Sequence, residues 1–408
     1  MSNSRKKKIV FVAMSGGVDS SVAAALLKKQ GYDVVGVHIK CYNIDGCGER
    51  DAEDARRVAE QLKIPFYVFD LEKEYKDKVV RYMIDGYKKG ITPNPDVMCN
   101  KEIKFGLFLK KALELGTNYV ATGHYVRLIP RPNSYFYGHH LSLGAKNPTA
   151  QRVDPLDVKL FAPPRHALRN NCQFALFSAK DTNKDQSYFL WTLTQDQLKH
   201  CLFPIGEYTK PQVRQMAERF GLLTAKKKDS QGICFLGKVK LDDFLAQYIK
   251  PKTGQVKLAQ GDGSYKVIGE HNGVYFYTIG QRHGLHLGIK NWESGIKNNF
   301  KPLYITDKDI KNNTITVAEG DDNQALYQKE IQLIKVNLVN PIIHNSKFVI
   351  SVFARVRYRQ LLAPANLIFA SSHDAKLVFD RAQKFIAPGQ SAVFYSKAGE
   401  LLGGGTIV

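Results

Sequence analysis

Two of the six cysteines in this 408-residue chain stand where a thiol can do chemistry. Cys99 lies in NPDVMCNKEIKFG, where a proline-broken loop runs into a helix expected from about Lys101. A thiol in the first turn of a helix feels the positive end of the macrodipole, and Lys101 and Lys104 follow closely. Both effects favour the nucleophilic thiolate. Asp96, three residues earlier, is either the cap of that helix or an acid–base group able to take a proton from a substrate ring nitrogen. Cys234 lies in KKKDSQGICFLG, preceded by Lys226, Lys227 and Lys228 and bracketed by Gly232 and Gly237, a composition suited to a mobile loop. Cys41, Cys172 and Cys201 sit in or beside apolar segments and read as packing, while Cys47, in DGCGER, is borne on a loop. The absence of any CxxC pair argues against a disulfide scaffold and a four-thiolate zinc ribbon.

A second chemical element is MSGGVDSS, Met14 to Ser21. Gly16 and Gly17 allow backbone N–H groups to approach an anion, Ser15, Ser20 and Ser21 add hydroxyls, and the following helix adds its positive end. No G-x-x-x-x-G-K-[ST] is present, so this is not a Walker A loop.

The elements that must carry these groups alternate through the first half. KKIVFVAM, YDVVGVHIK, PFYVFDL and NYVATG read as strands; SSVAAALLKKQG, RDAEDARRVAEQLK and KEIKFGLFLKKALELG read as helices. That rhythm predicts an α/β doubly wound parallel sheet. Residues 130–172, rich in Pro, His and Asn, break it as an insertion or hairpin excursion. Helical signals return at DQSYFLWTLTQDQLKHCL and KPQVRQMAERFGLL. From about residue 255, short alternating runs with glycine turns predict an antiparallel barrel or sandwich. In FARVRYRQ the alternation predicts Arg355, Arg357 and Arg359 on one strand face.

The chain carries 59 Lys and Arg against 38 Asp and Glu, a net +21 that favours a polyanionic partner. No apolar run approaches the ~20 residues of a membrane span, and IVFVA is too short for a signal-peptide core, so the expected location is cytoplasmic.

SGGVDSS resembles the pyrophosphate loop (PP-loop) of the ATP pyrophosphatase superfamily. With NPDVMCNKEIKFG, ATGHY, KDQSYFL, KKKDSQGICFLG, YTIGQRHGL, VRYRQ and PGQSAVF, in this order from residue 15 to residue 394, the whole chain resembles the tRNA-specific 2-thiouridylase family. Its departures are the 130–172 segment and Gln231, where threonine is more usual.

The resemblance implies three parts. These are an adenine nucleotide alpha hydrolase-like ATP domain over 1–200, a small central α+β tRNA-binding domain over 201–262 carrying Cys234, and a tRNA-binding β-barrel over 263–408. It implies a sulfurtransferase that uses ATP and Mg²⁺ to adenylate O2 of the wobble uridine in tRNAs for Glu, Gln and Lys, then replaces that oxygen with sulfur. Cys234 would receive the sulfur as a persulfide from a relay protein or cysteine desulfurase, and Cys99 would pair with it, leaving a Cys99–Cys234 disulfide for reductant to open. Nucleotide contacts would fall at Ala13, Met14, Ser15, Gly16, Gly17, Val18, Asp19, Ser20, Ile39 and Gly123, with Asp19 acting through Mg²⁺ or organising the loop. Contacts to tRNA would fall at Asn94, Pro95, Asp96, His124, Lys184, Asp185, Gln186, Arg357, Tyr358 and Gln390. The rivals are another PP-loop synthetase acting on a small molecule, which needs neither thiol pair nor basic barrel, and an RNA-binding module with a vestigial loop, which the intact SGGVDSS opposes. No cysteine spacing supports an iron–sulfur cluster on Cys99, Cys234 and Cys47.

Overall fold

A computed structural model describes residues 7–44, 46–131, 173–229, 232, 235–237, 239–282, 301–340 and 349–408. Cys234, Cys172, Gln231 and all but the first two residues of the 130–172 insertion lie outside the described residues, as does the Cys47 side chain.

The apolar run Ile9–Ala13 forms β1, the centre of a five-stranded parallel sheet. Its neighbours are β2 (Asp33–Lys40) and β3 (Phe66–Asp70) on one side, β4 (Tyr119–Ala121) on the other. The strand order is β3-β2-β1-β4-β7, with β5 (Val126–Arg131), β6 (Gln173–Ser178) and β7 (Cys201–Leu202) following in the chain. The chain winds outward from β1 through β2 and β3, then crosses to β4 on the other side. The gap between β1 and β4 is therefore a switch point, where loops diverge and open a crevice at the carboxyl edge. β5 and β6 pair antiparallel, so the two chain segments that flank the insertion form a hairpin.

Helix α1 (Val18–Lys29) is apolar nearly all round, with Val18 and Val22 to Leu27 buried, because it lies between the sheet and the helix Lys210–Arg219. Helix α2 (Cys47–Gln61) is amphipathic: Ala55, Val58 and Ala59 are buried at i, i+3 and i+4, while Arg56 pairs with Glu53 and Glu60 on the wet face. The stretch DQSYFLWTLTQDQLKHCL, expected helical, instead holds a 3₁₀ turn at Ser187–Phe189 and one helical turn at Gln195–Leu198. Its apolar residues Tyr188, Leu190, Trp191 and Leu193 are buried on several sides at once, which no single helix face provides.

The alternating runs after residue 255 divide into two sheets. β8 (Gly254–Ala259), β9 (Tyr265–His271), β10 (Leu303–Asp309) and β11 (Thr314–Glu319) make a four-stranded sheet in which only β11 and β8 run parallel. β12 (Tyr327–Leu338), β13 (Val349–Arg355), β14 (Ala363–Phe369), β15 (Ala375–Lys384), β16 (Ser391–Tyr395) and β17 (Leu401–Ile407) close into an antiparallel barrel. Ala375, Leu377 and Phe379 on β15 point inward at period two. The barrel docks on the first half through polar contacts that fix its orientation: Trp191 Nε1 donates to Ser391 Oγ at 3.0 Å and Tyr188 Oη to the Ser391 carbonyl at 2.8 Å.

Candidate nucleotide and tRNA site

The loop after β1 is built from within. Ser15 N–H donates to Ser20 Oγ at 3.2 Å and Ser21 Oγ donates to the Gly17 carbonyl at 2.8 Å. Gly16 has φ of +71°, and a Cβ there would lie 2.2 Å from the Asp51 carbonyl oxygen, so only glycine fits. Gly17 caps α1 without a side-chain hydrogen bond. The first N–H groups of a twelve-residue helix thus carry no side-chain cap, the donor set that a phosphate chain uses. Ala13 and Met14 precede this turn, and Met14 carbonyl holds buried His38 Nδ1 at 3.0 Å.

From β4, Gly123 comes so close that a Cβ would lie 2.7 Å from Ser20 N and 2.9 Å from the Asp19 carbonyl carbon. Two expected nucleotide positions, distant in sequence, are therefore in contact.

Asp19 is not directed at open solvent. Lys210 Nζ donates to both its oxygens at 2.8 Å, and Tyr125 Oη donates to Oδ1 at 2.8 Å. Lys210 also meets Asp229 at 2.8 Å; Asp229 takes Arg214 at 2.7 Å and Lys184 at 2.6 Å. Partial burial of Asp229 is outweighed by the hydrogen bonds from Lys184 and Lys210, which hold its carboxyl at about 2. Sequence reading missed Lys210, Asp229, Arg214 and Tyr125. One signal was present: Lys210 sits at the positive end of its own helix, in a capping box made by Thr209 and Gln212. A cation there is unfavourable unless an anion faces it.

The segment bearing Cys99 is helical from Pro95, earlier than Lys101, and Asn94 rather than Asp96 caps it, accepting from Val97 N–H at 3.2 Å. The cap falls at Asn94 because Pro95 takes the first helical position with no N–H to satisfy. From Cys99 to Phe108 the helix widens to π geometry, a form that recurs at functional sites. Asp96, freed from capping, is half-buried; burial pushes its carboxyl up, against the pull of Lys104. The next residue after Cys99, Asn100, is buried, and its Oδ1 has no hydrogen-bond partner.

Cys99 lies in an apolar cluster with Tyr75, Phe235 and Phe244, and Ile39, near the end of β2, packs on the same cluster. Phe235, next in sequence to Cys234, is fully buried there, 5.8 Å from the Tyr75 ring. The chain on the far side of Cys234 is tied down by Asp229. Cys234 itself is not described, so no sulfur-to-sulfur distance follows. Of the three lysines before it, Lys227 is engaged by Asp51 and Asp54 on α2. Cys201 is buried packing as expected, its thiol pushed up by burial.

The loop before the Cys99 helix is gripped from the barrel. Gln390 Nε2 donates to the carbonyls of Thr92 and Pro93 at 3.0 and 3.2 Å, and Thr92 N–H donates to the Pro388 carbonyl at 2.7 Å. Gln390, Asn94, Pro95 and Asp96 are thus brought together. His124 is buried between Phe105 and Phe203, with Nδ1 2.8 Å from Thr122 Oγ1; burial first, then Lys104, holds its pKa well below the usual histidine value.

Of KDQ, Lys184 reaches Asp229, Gln186 Oε1 accepts from Tyr125 N–H at 2.9 Å, and Asp185 is buried against Arg355 and Ser187. The three arginines of FARVRYRQ do not share a strand face, because β13 ends at Arg355. Gln360 Oε1 accepts from Val356 N–H at 3.0 Å, and Arg359 takes φ of +64°, so the chain turns. Arg357 donates to the Phe385 and Ile279 carbonyls, and Tyr358 lies 4.5 Å from the Phe189 ring beneath Arg359.

A parallel sheet with a glycine anion loop at its switch point, joined to a basic barrel, defines the architecture of a PP-loop enzyme of RNA modification. Three family models match in succession: tRNA methyl transferase HUP domain over 8–238, tRNA methyl transferase PRC-barrel domain over 242–319, and aminomethyltransferase beta-barrel domain over 328–407. The chain is 41% identical to tRNA-specific 2-thiouridylase MnmA 1 of Geobacillus kaustophilus, over 96% of this chain and 93% of that protein. It is 40% identical to tRNA-specific 2-thiouridylase MnmA of Bacillus licheniformis, over 98% and 94%, and 39% identical to that of Legionella pneumophila, over 98% of each. The chain belongs to the tRNA-specific 2-thiouridylase family.

Proposed function

We propose that this protein is an ATP-dependent tRNA sulfurtransferase that forms 2-thiouridine at the wobble position. The observation that carries this reading is convergence at one sheet edge. The anion loop follows β1, Gly123 follows β4, and Ile39 near the end of β2 packs on the cluster that holds Cys99 and Phe235. The uncapped α1 N-terminus with Ser15 and Ser20 suits a phosphate chain, and the Asp19 carboxylate suits Mg²⁺. ATP supplies the adenylyl group that turns the uracil O2 into a leaving group.

The chain's own residues do the rest. Asn94, Pro95 and Asp96 receive the base held out of its stack, braced by Gln390. Asp96, its carboxyl raised by burial, exchanges a proton with the ring nitrogen. The outer sulfur of a Cys234 persulfide passes to the activated C2, and AMP leaves with the former O2. The Cys99 thiolate bonds to Cys234 Sγ as the Cys234 S–S bond breaks, leaving a disulfide for reductant to open. A relay protein or cysteine desulfurase is the donor, and tRNAs for Glu, Gln and Lys are the substrates. Lys184, Gln186, Arg357 and Tyr358 meet the tRNA with the Asn94 loop, while His124, buried between Phe105 and Phe203, acts from beneath that surface. Net charge of +21 fits such a polyanion. The matched domain descriptions name methyl transfer, but a glycine anion loop together with Cys99 and, in the sequence, Cys234 suits adenylation and sulfur transfer. Incubation with ATP, Mg²⁺, a cysteine desulfurase with cysteine as persulfide donor, and tRNA lacking 2-thiouridine, followed by nucleoside mass spectrometry, tests it. New 2-thiouridine is expected; methylated uridine without it would contradict the reading.

A further inference from the structure

Lys210 is shared between two carboxylates that belong to different parts of the proposed site. Its ammonium holds both oxygens of Asp19 on the nucleotide loop at 2.8 Å, and Asp229 Oδ1 at 2.8 Å. Asp229 in turn holds Lys184 through its other oxygen at 2.6 Å, with Arg214 at 2.7 Å. The Lys210 side chain is only 10% exposed, whereas that of Lys184 is 31% exposed and within reach of an outside anion. Asp181 fixes the frame: its Oδ2 accepts from Lys210 N–H at 2.7 Å and its Oδ1 from Lys184 N–H at 3.2 Å. The backbones that carry the two lysines are therefore tied to one carboxylate, and only their side chains are free to exchange partners.

We propose that Lys210 and Asp229 are positioning residues that couple tRNA binding to the nucleotide loop, by a shift of the Lys210 ammonium from Asp19 toward Asp229. This rests on the reading that Lys184 meets tRNA. An RNA phosphate that captures Lys184 leaves Asp229 with one cation fewer. Asp229 then draws Lys210 more strongly, and Asp19 is released toward Mg²⁺ on the nucleotide. Without tRNA the lysine stays on Asp19 and the nucleotide loop is held in its unliganded charge state. No covalent step is involved; one ion pair is exchanged for another within a balanced cluster of Lys184, Lys210 and Arg214 against Asp19, Asp181 and Asp229.

The test is a binding cycle with Mg²⁺–α,β-methylene-ATP and tRNA lacking 2-thiouridine, measured by calorimetry on the full chain. In the unaltered protein, tRNA is expected to tighten the analogue by about fivefold or more, and the analogue to tighten tRNA by the same factor. In Asp229→Asn and in Lys184→Gln that factor falls toward unity, while Asp229→Glu keeps a factor above it. Loss of fold would be seen in the melting curve and would remove Asp229→Glu along with Asp229→Asn. An Asp229→Asn protein that retains the full coupling factor, or an unaltered protein with none, overturns the proposal. Failure of the broader reading looks different: the unaltered protein would then make no 2-thiouridine whatever the coupling factor.

Discussion

Gly123 and Ser20 approach so closely that a methyl group on Gly123 would lie 2.7 Å from the Ser20 backbone nitrogen. The contact joins the end of one strand to the anion loop after another. Gly123→Ala must therefore push the loop aside. A displacement near 1 Å can cost about 100-fold in rate. We expect tRNA-dependent AMP formation to fall by about that factor with the melting temperature little changed; an unaltered rate would remove Gly123 from the nucleotide site.

Substitution of either thiol should separate the two halves of the chemistry. Cys99→Ser and Cys234→Ser are each expected to lower 2-thiouridine yield by about 10³-fold or more while tRNA-dependent AMP formation persists. Near-normal thiolation by the Cys234 variant would remove its sulfur-carrier role.

The Arg355–Asp185 pair is buried between the barrel and the KDQ loop, with Tyr395 and Ser187 completing its hydrogen bonds. Breaking a buried pair from one side leaves an uncompensated charge, at a cost of about 3–5 kcal/mol. Arg355→Met should lose stability of that order in urea unfolding, and adding Asp185→Asn should recover part of it. Equal losses for the single and double variants would argue against the charge explanation.

His124 gives a pH dependence with a defined sign. Burial holds its folded-state pKa well below the unfolded value of about 6.5, so the ring stays neutral in the fold while the unfolded chain takes up a proton. The unfolded state thus binds more protons as pH falls below about 6.5, and stability drops by up to about 1.4 kcal/mol per pH unit there. His124→Gln should flatten that slope in unfolding measured between pH 7 and 5. An unchanged slope would show that the ring takes up its proton as readily in the fold as in the unfolded chain.

What could be read from the sequence followed local pattern. The runs IVFVA and DVVGVHIK are apolar enough to announce buried strands, and the glycines after β1 announce the anion loop. β7 is not legible in the sequence because two residues carry no periodicity. The alternation in FARVRYRQ extends past the end of β13 at Arg355, because a positive φ at Arg359 leaves no mark in an arginine-rich string. Asp96 stands in the sequence as either cap or acid–base group, and the cap falls at Asn94 because the two side chains are near-equivalent cap formers and only the proline between them decides. The Lys210–Asp19 contact joins residues 191 positions apart, and ion pairs of that range are set by tertiary packing alone.

The most direct measurement follows one turnover with ATP labelled at the α-phosphate, counting AMP and 2-thiouridine on the same tRNA. Equal amounts, with the thiolated base at the wobble position, are expected if adenylation prepares the carbon that sulfur attacks. Thiolation without AMP, or AMP formed at the same rate with no tRNA present, would contradict it.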